Sequence, residues 1–275
     1  LLDNGTLADT IKGMINTLLI IDPQNDFCDP AGALSVPGAD EDCARLASLI
    51  RRNIAKLDSI HITMDTHHLY HVAHPIFWLD QNGKMPDPFT IITLEDIRAG
   101  TYRAAVDQYR HYAEEYVTTL EQTGKYNLCI WPPHCLIGTW GHNVYKPLAD
   151  ALHEWEMSVP GRIVDYTYKG SNVRTEHYSA IRAEVSDAAD PGSRTNFALI
   201  ERLKTADNIA IAGEALSHCV ANTVRDLVTT IPVEKLIVLT DVSSCVTGFE
   251  HLGKEFIDEA AATGIRLMSS REYLA

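Results

Sequence analysis

The chain has 275 residues, with 23 Lys and Arg against 37 Asp and Glu, so its formal net charge is −14. A hydrophobic fraction of 45% excludes a disordered chain, and the length allows one large domain or two small ones. Because phosphate binding needs a basic face, and no Lys/Arg cluster stands out, a nucleic-acid partner is disfavoured.

Short apolar segments alternate along the chain with longer amphipathic ones, which is typical of βαβ units around a parallel sheet. The predicted strands are Thr17–Asp22, Ser59–Asp65, Tyr126–Trp131, Arg162–Tyr168, Asn208–Gly213 and Lys235–Thr240. The predicted helices are Asp40–Leu57, Ala104–Gln122, Asn143–Glu156, Arg194–Thr205, His218–Thr230 and Glu250–Thr263. The pattern predicts a single α/β domain over 1–275: a Rossmann-like, doubly wound fold whose six-stranded, mainly parallel sheet has helices on both faces.

One connection is unusually long. Leu79–Lys125 separates the second and third predicted strands, and crossovers in such folds are usually shorter. A Pro-rich turn at Met85–Pro88 is followed by the acidic helix Ala104–Gln122 with an apolar stripe. We expect an insertion that packs near the active edge and shapes access to the pocket. A surface decoration is the alternative, since loops tolerate insertion at low free-energy cost.

Ligands of open α/β sheets bind beyond the carboxyl ends of the strands. Three predicted strands end at or beside charged residues, Asp22, Asp65 and Lys169, while His134 and Cys219 follow two others. No GxGxxG follows the first strand and no GxxxxGK[ST] occurs, so the two common nucleotide-cradling loops are absent from the sequence. An acid, a base, metal ligands and a thiol are therefore expected at one edge.

Histidine is clustered after the second strand. Five of the 12 histidines fall within fourteen residues: His61, His67, His68, His71 and His74. On an extended strand end Asp65 and His67 point the same way, and a carboxylate with an imidazole suits zinc or iron. His134, held by two prolines, could complete the ligand set with waters. Solvated loop histidines are the alternative, which fits His61 and His68.

Cys219 lies in GEALSHCVANTVRDL, where a helix is predicted to begin. A thiol in the first turn of a helix faces the positive end of the dipole, which lowers its pKa and favours the thiolate. The same turn offers backbone N–H groups to an oxyanion. A buried core cysteine is the alternative.

Taken together, these segments resemble the isochorismatase-like cysteine hydrolases and, within them, the nicotinamidases. The matching segments are LLIIDPQNDFC (18–28), MDTHH (64–68), WPPHCLIGTWG (131–141), YKG (168–170), GEALSHCV (213–220) and LTDVSS (239–244). The resemblance implies a catalytic triad of Asp22, Lys169 and Cys219. It also implies one divalent metal ion, zinc with iron or manganese as alternatives, held by Asp65, His67 and His134.

The same resemblance implies a pocket around the thiol. The amides of Ala215 and Cys219 would form an oxyanion hole after a cis peptide at Glu214–Ala215, and Phe27 and Trp131 would flank an aromatic ring. The implied activity is hydrolysis of a small carboxamide to an acid and ammonia through a thioester. The alternatives are the same chemistry on a ureido, carbamoyl or maleamate-type amide, or a non-catalytic module.

Some positions depart from the family pattern. Glu214 stands where a small apolar residue is more usual, Leu216-Ser217 replaces a Thr-Asp pair, and a serine that often assists the metal shell is missing near Ala73. His71 or His74 could take that serine's place. These departures leave the identity of the amide open.

The remaining expectations concern location and partners. The six cysteines are scattered without a CxxC pair, no apolar run reaches the roughly 20 residues that span a bilayer, and 1–12 lacks a signal-peptide pattern. We therefore expect free thiols, a cytoplasmic location and no membrane partner. A small-molecule amide and a second copy of the chain, in a homo-oligomer, are the expected partners.

Overall fold

A computed structural model describes residues 13–123 and 126–275. The sequence prediction for 1–12 and the last residues of the predicted insertion, 124 and 125, lie outside this range. Within it the strands are β1 (Asn16–Ile21), β2 (Ser59–Asp65), β3 (Trp78–Asp80), β4 (Ile91–Ile92), β5 (Tyr102–Ala104), β6 (Leu128–Cys129), β7 (Asp165–Lys169), β8 (Asn208–Gly213), β9 (Leu236–Leu239) and β10 (Arg266–Met268).

Six of these strands form one parallel sheet in the order β10-β9-β8-β1-β2-β7. The helices around it are α1 (Asn25–Cys28), α2 (Ala39–Arg52), α3 (Leu94–Arg98), α4 (Arg110–Thr123), α5 (Lys146–Ser158), α6 (Phe197–Lys204), α7 (Ala221–Leu227) and α8 (Glu250–Thr263). The predicted fold class is confirmed. Every residue of β1, β8 and β9 is buried, as their unbroken apolar sequences require of strands covered on both faces.

Two strand assignments need correction. The predicted strand Tyr126–Trp131 does not join the central sheet, because its central residues pair antiparallel with β4 of the long connection. The sixth place in the sheet belongs instead to β10, which the sequence analysis missed. Only three residues long, with Arg266 exposed and the other two residues half-buried, β10 carries too little periodicity to be recognised from sequence.

The predicted helix Ala104–Gln122 also begins later than expected. Residue 104 closes β5, which pairs antiparallel with β3, and α4 begins only at Arg110. The stripe on α4 packs inward, since Tyr116, Val117 and Leu120 are buried in the same core as the sheet strands.

Within the described residues, no helix is long and apolar enough to cross a membrane. The six cysteines are free thiols, as predicted.

Candidate functional site

Four neighbouring strands deliver charged or nucleophilic side chains to one edge of the sheet. Asp22 follows β1, Asp65 closes β2, Lys169 closes β7, and the chain after β8 leads to Cys219. The register between β2 and β7 pairs Asp65 with Lys169, so the two side chains leave the sheet side by side. Because all these strands are parallel, their carboxyl ends meet at this edge.

The Lys169 ammonium lies at the centre of the cluster. Its Nζ is 2.8 Å from Asp22 Oδ2, 3.1 Å from Asp65 Oδ1 and 3.6 Å from Cys219 Sγ. It also donates to the His177 carbonyl at 2.9 Å. The structure therefore brings together all three members of the predicted triad, in a place where Asp22 and Lys169 are almost fully buried.

Burial and charge act in opposite directions on these groups. Burial alone would lower the pKa of Lys169, but the carboxylates of Asp22 and Asp65 outweigh it and hold that pKa well above its usual value. Burial raises the pKa of Asp22, although Lys169 and the Thr63 hydroxyl, 2.6 Å from Asp22 Oδ1, oppose the rise. The site thus combines a fixed ammonium with a carboxylate whose basicity is increased.

Cys219 lies in a π-helical turn, Leu216–Val220, that runs directly into α7. The expectation that a helix N-terminus lowers its pKa is wrong here, because burial raises the pKa of Cys219 well above its ordinary value. Lys169 opposes this rise, whereas the charges of Asp22 and Asp65 add to it. The thiol thus lies between an ammonium, which favours the thiolate, and carboxylates, which oppose it.

Asp65, His67 and His134 come together as a buried group whose ligand atoms all lie within 4.8 Å of one another. Asp65 Oδ2 is 2.9 Å from His67 Nε2 and 3.3 Å from His134 Nε2. The other ring nitrogens face backbone carbonyls, His67 Nδ1 that of Gly170 at 3.1 Å and His134 Nδ1 that of Pro132 at 2.8 Å. With a proton on each Nδ1, donated to these carbonyls, each Nε2 would have a lone pair for a metal ion, which is how metal-binding imidazoles are oriented. The donor set fits a divalent transition metal.

Two local features hold this group in place. The Gln24 side chain brackets the Asp65 backbone, donating to its carbonyl and accepting from its N–H, each at 2.7 Å. Gly170 has φ of +84°, and a Cβ there would lie 2.8 Å from Asp65 Oδ1 and 3.0 Å from the His67 ring. Glycine is therefore required where the β7 end passes these two side chains.

The remaining clustered histidines separate into two kinds. His61 bonds Asp165 at 2.8 Å and His68 is exposed, so neither belongs to the site. His71 accepts from the Ala73 N–H through Nδ1 and faces the Thr175 carbonyl through Nε2, so both its nitrogens are occupied. His74, 5.3 Å from the His67 ring, faces a carbonyl only through Nδ1, and its buried Nε2 has no partner among the described residues. Of the two histidines considered for the metal shell, only His74 keeps a free nitrogen.

A small pocket opens beside the thiol. Its walls include Phe27 and Trp131, the pair predicted to flank a ring, and also Ala215 and Cys219, the predicted oxyanion donors. The implied peptide at Glu214–Ala215 is cis. Asp65 and His134 reach the same space, so the thiol and the Asp-His-His group face one small, largely apolar pocket.

Sequence reasoning missed five pocket residues, of which Leu34 and Val246 are aliphatic and the other three are polar or aromatic. Glu176 and Tyr178 come from the loop after β7, and His218 directly precedes the thiol. Burial raises the pKa of Glu176, and its Oε2 has no hydrogen-bond partner among the described residues. The available signal was its place in a loop that follows the strand end carrying Lys169, a location where polar residues are more often functional.

Comparisons with known proteins were made in sequence and in structure. No protein-family model matches the chain. A nicotinamidase of Saccharomyces cerevisiae is 27% identical over 209 residues, which cover 76% of this chain and 79% of the yeast protein. The crystal structure of yeast nicotinamidase bound to the inhibitor nicotinaldehyde has a TM-score of 0.65 and 21% identity, covering 93% of this chain and all (100%) of that one.

Two more distant structures share the fold. A pyrazinamidase of Pyrococcus horikoshii in complex with zinc has a TM-score of 0.56 and 19% identity, covering 92% of this chain and 98% of that one. An isochorismatase-like hydrolase from Alkaliphilus metalliredigens has a TM-score of 0.52 and 16% identity, covering 94% of this chain and 97% of that one. The predicted resemblance, to isochorismatase-like hydrolases and nearest to nicotinamidases, is confirmed.

Proposed function

We propose that the chain is a cysteine amidohydrolase that cleaves a small carboxamide of the nicotinamide type to an acid and ammonia. The observation that carries the proposal is the buried contact of Lys169 with both Asp22 and Cys219, beside an Asp-His-His group. The sequence likeness to a nicotinamidase points to the same chemistry.

The geometry suggests how the bond is broken. Asp22 accepts the Cys219 proton, and the thiolate attacks the amide carbon, forming a C–S bond. When the tetrahedral adduct collapses, the C–N bond breaks and Asp22 returns the proton to the departing ammonia. Water then hydrolyses the thioester, releasing the acid and regenerating the thiol. The positive charge of Lys169 stabilises the Asp22 carboxylate and the Cys219 thiolate. This attraction offsets the unfavourable free energy of burying the thiolate.

Oxyanion stabilisation is assigned to the backbone. The amides of Ala215 and Cys219 are the proposed donors, since both residues line the pocket. Gly213 permits this turn: its φ is +108°, and a Cβ there would lie 2.1 Å from the Ile21 carbonyl oxygen. A side chain at 213 would push the turn away from β1 and displace the proposed donors.

Asp65, His67 and His134 are the proposed ligands of one divalent metal ion, with zinc favoured because a fold relative was solved with it. Such an ion supplies Lewis acidity, which polarises a substrate atom or lowers the pKa of a bound water. Because Asp65 and His134 line the pocket, an ion held there would lie next to a bound amide.

Two other hypotheses remain less favoured. A ureido, carbamoyl or maleamate-type amide would be cleaved by the same thiol. This substrate class is retained as a hypothesis because the buried Glu214 departs from the family pattern. A non-catalytic module is disfavoured because Asp22, Lys169 and Cys219 are all present and in contact.

We propose that the long connection supports the walls of the pocket without lining the pocket itself. None of the described residues 79–123 lines the pocket, but Tyr116 accepts the Glu176 N–H at 3.0 Å, and Phe89 packs edge-on against Trp131 with ring centroids 5.9 Å apart. The residue after Glu176 supplies the carbonyl that binds Lys169. The insertion therefore supports two walls of the pocket and remains part of a single domain.

The sequence-based expectations of a cytoplasmic location and a homo-oligomer stay as proposals. The free thiols are consistent with a reducing compartment.

Ammonia release from a panel of small amides tests the proposed function. The panel contains nicotinamide, pyrazinamide, benzamide, a ureido compound and maleamate, each with and without prior chelation and metal re-addition. We expect fastest turnover of a pyridine or pyrazine carboxamide, loss of turnover on chelation and recovery on re-addition. Faster turnover of the ureido compound or maleamate favours that class, and ammonia release from none of them contradicts the proposal.

A further inference from the structure

Glu214 is a carboxyl group buried next to the turn that carries the proposed oxyanion donor Ala215. Only 1% of its surface is exposed, and it does not line the pocket, although Ala215 does. The Ser244 N–H donates to Glu214 Oε2 at 3.2 Å. Glu214 Oε1 is fully enclosed, and no donor among the described residues reaches it. An ionised carboxylate here would therefore lack a hydrogen bond on one buried oxygen, which is unfavourable.

Ser244 contacts the chain on both sides of Ala215. Its N–H donates to the Glu214 side chain, and its carbonyl accepts the Leu216 N–H at 2.7 Å. The Glu214 N–H donates to the Ile21 carbonyl at 2.8 Å, which joins the start of the turn to β1. Because these contacts lie immediately before and after Ala215, they fix the direction of its N–H.

Ser244 is itself held by α2. Its hydroxyl donates to Asp42 Oδ2 at 2.5 Å, and Arg45 donates to Asp42 Oδ1 at 2.5 Å. Arg45 also donates to the Asp241 carbonyl at 2.6 Å, in the chain that leads to Ser244. Asp42 thus accepts on both oxygens, which is the pattern of an ionised carboxylate. Ser244 joins this carboxylate to the carboxyl group of Glu214.

The surroundings of Glu214 favour its protonated form. Burial raises the pKa of Glu214 well above its ordinary value, and the charge of Asp42 adds to the rise, while the Ser244 N–H opposes it. A neutral carboxyl group keeps an oxygen that accepts from Ser244. It also avoids a negative charge beside the turn where, in the proposed reaction, negative charge develops on the substrate oxygen.

We propose that Glu214 is a positioning residue whose neutral carboxyl group, through Ser244, holds the Ala215 N–H in place for the oxyanion. This inference rests on the proposed function and gives a role to one of the departures from the family pattern. Since Glu214 does not line the pocket, it acts on the reaction only through the turn. It should therefore affect the transition state more than the binding of the amide.

Matched variants keep or remove the contact. Glu214→Gln keeps a neutral side chain that both accepts and donates, whereas Glu214→Leu leaves the Ser244 N–H without its acceptor. Glu156→Leu is the control, because Glu156 also accepts a backbone N–H, that of Val164 at 2.8 Å, and lies outside the pocket.

The variants are compared on the amide that is hydrolysed fastest and on the aldehyde that carries the same ring. The Cys219 thiol adds to the aldehyde: a C–S bond forms, Asp22 accepts the thiol proton, and the C=O double bond becomes a single bond with negative charge on oxygen. The aldehyde adduct therefore needs the oxyanion donor, whereas the bound amide does not.

We expect Glu214→Leu to lower kcat about tenfold and to raise the Ki of the aldehyde by a similar factor, with KM within about twofold of wild type. Glu214→Gln and Glu156→Leu should keep kcat and Ki within about twofold. Unchanged kcat and Ki in Glu214→Leu overturn the proposal. An equal loss in Glu214→Gln, or in the control, also overturns it, because the loss would then not come from the contact with Ser244.

A second variant covers the case in which Glu214→Leu does not fold. Ser244→Ala removes the hydroxyl bond to Asp42 and leaves Glu214 in place. It should lower kcat about threefold, again without a change in KM. An unchanged kcat in Ser244→Ala overturns the proposed network.

An infrared difference spectrum between wild type and Glu214→Gln at neutral pH needs no turnover. We expect it to contain the C=O band of a protonated carboxyl group, and a carboxylate band instead overturns the proposal. If wild type hydrolyses none of the amides, the proposed function fails, yet the spectrum and the aldehyde Ki still decide on Glu214. If amides are hydrolysed but kcat and Ki ignore the Glu214→Leu change, only the present inference fails.

Discussion

The carboxyl edge of the central sheet and the segment 79–123 differ in where their charged side chains lie: buried at the edge, exposed in the segment. At the sheet edge Asp22, Asp65 and Lys169 are almost fully buried and in contact. In the segment, ion pairs such as Arg98–Glu114 lie at the surface, with side chains 62% and 41% exposed, while the tyrosines point inward. Exposed pairs contribute little, whereas buried charges without their partners are strongly unfavourable.

The difference indicates a division of roles. The sheet edge carries the groups proposed to react, whose burial and mutual contacts set their protonation. The segment carries hydroxyl and ring contacts that hold the walls of the pocket. Changes at the edge should therefore abolish activity or metal binding, and changes in the segment should reduce activity by smaller factors.

The largest effect is expected at the thiol. Cys219→Ala should lower kcat/KM by at least about 10³-fold, because it removes the nucleophile while leaving a small side chain in the buried turn. Ammonia release measures the loss, and thermal unfolding checks the fold. The control is Cys245→Ala, at a half-buried thiol outside the pocket, which should keep full activity. Near-normal activity in the Cys219 variant would exclude the covalent mechanism.

The next effect is expected at the metal group. His134→Ala should reduce bound metal from about one ion per chain to a small fraction and lower activity by about 10²-fold or more, since it removes one of the three proposed ligands. Elemental analysis of the purified protein gives the metal content. His68→Ala, an exposed histidine one position beyond a ligand, is the matched control and should leave it unchanged. A full metal load in His134→Ala would mean that the ligands are elsewhere.

A smaller effect is expected in the segment 79–123. Tyr116→Phe removes the acceptor for the buried Glu176 N–H, which should reduce the free energy of unfolding by about 1–3 kcal/mol. Because the next residue's carbonyl binds Lys169, we also expect kcat to fall about tenfold well below the melting temperature and the pH profile of Cys219 alkylation to shift. Tyr109→Phe is the control, because it removes a hydroxyl from the same insertion and leaves the hydrogen bond between Tyr116 and the Glu176 N–H in place. Equal behaviour of the two variants would argue against the supporting role.

The smallest expected effect is a pH slope of stability from His218. Its folded-state pKa is about 3, below the unfolded value of about 6.5, so below pH 6.5 the unfolded state binds a proton that the folded state does not. The free energy of unfolding should therefore decrease as pH falls from about 6.5 towards 3, by up to about 1.4 kcal/mol per unit from this group.

Urea denaturation at several pH values measures this slope. His218→Phe should reduce the pH slope of the free energy of unfolding by that amount. His111→Phe, which changes an 85% exposed side chain, should leave the slope unchanged. An unchanged slope in His218→Phe would show that the imidazole is not held neutral by burial.

The sequence by itself determined the residue types at the strand ends and the fold class. Unbroken apolar runs such as LLII and NIAIAG specify buried parallel strands, and parallel strands bring the residues after them to one edge, so Asp22, Asp65, Lys169 and Cys219 could be grouped without a structure. Spacing on an extended strand likewise paired Asp65 with His67. These inferences depend on local periodicity, which is read directly from the chain.

Only the tertiary structure decided what surrounds those groups. The raised pKa of Cys219 follows from burial by distant segments, which a local helix-dipole argument does not include. The pairing of β6 with β4, the place of β10 in the sheet and the support of Glu176 by Tyr116 are long-range contacts, and nothing in the local pattern of either partner specifies the other. Chemistry could be inferred from residue types near strand ends, whereas protonation and wall geometry depend on which remote side chains exclude water from them.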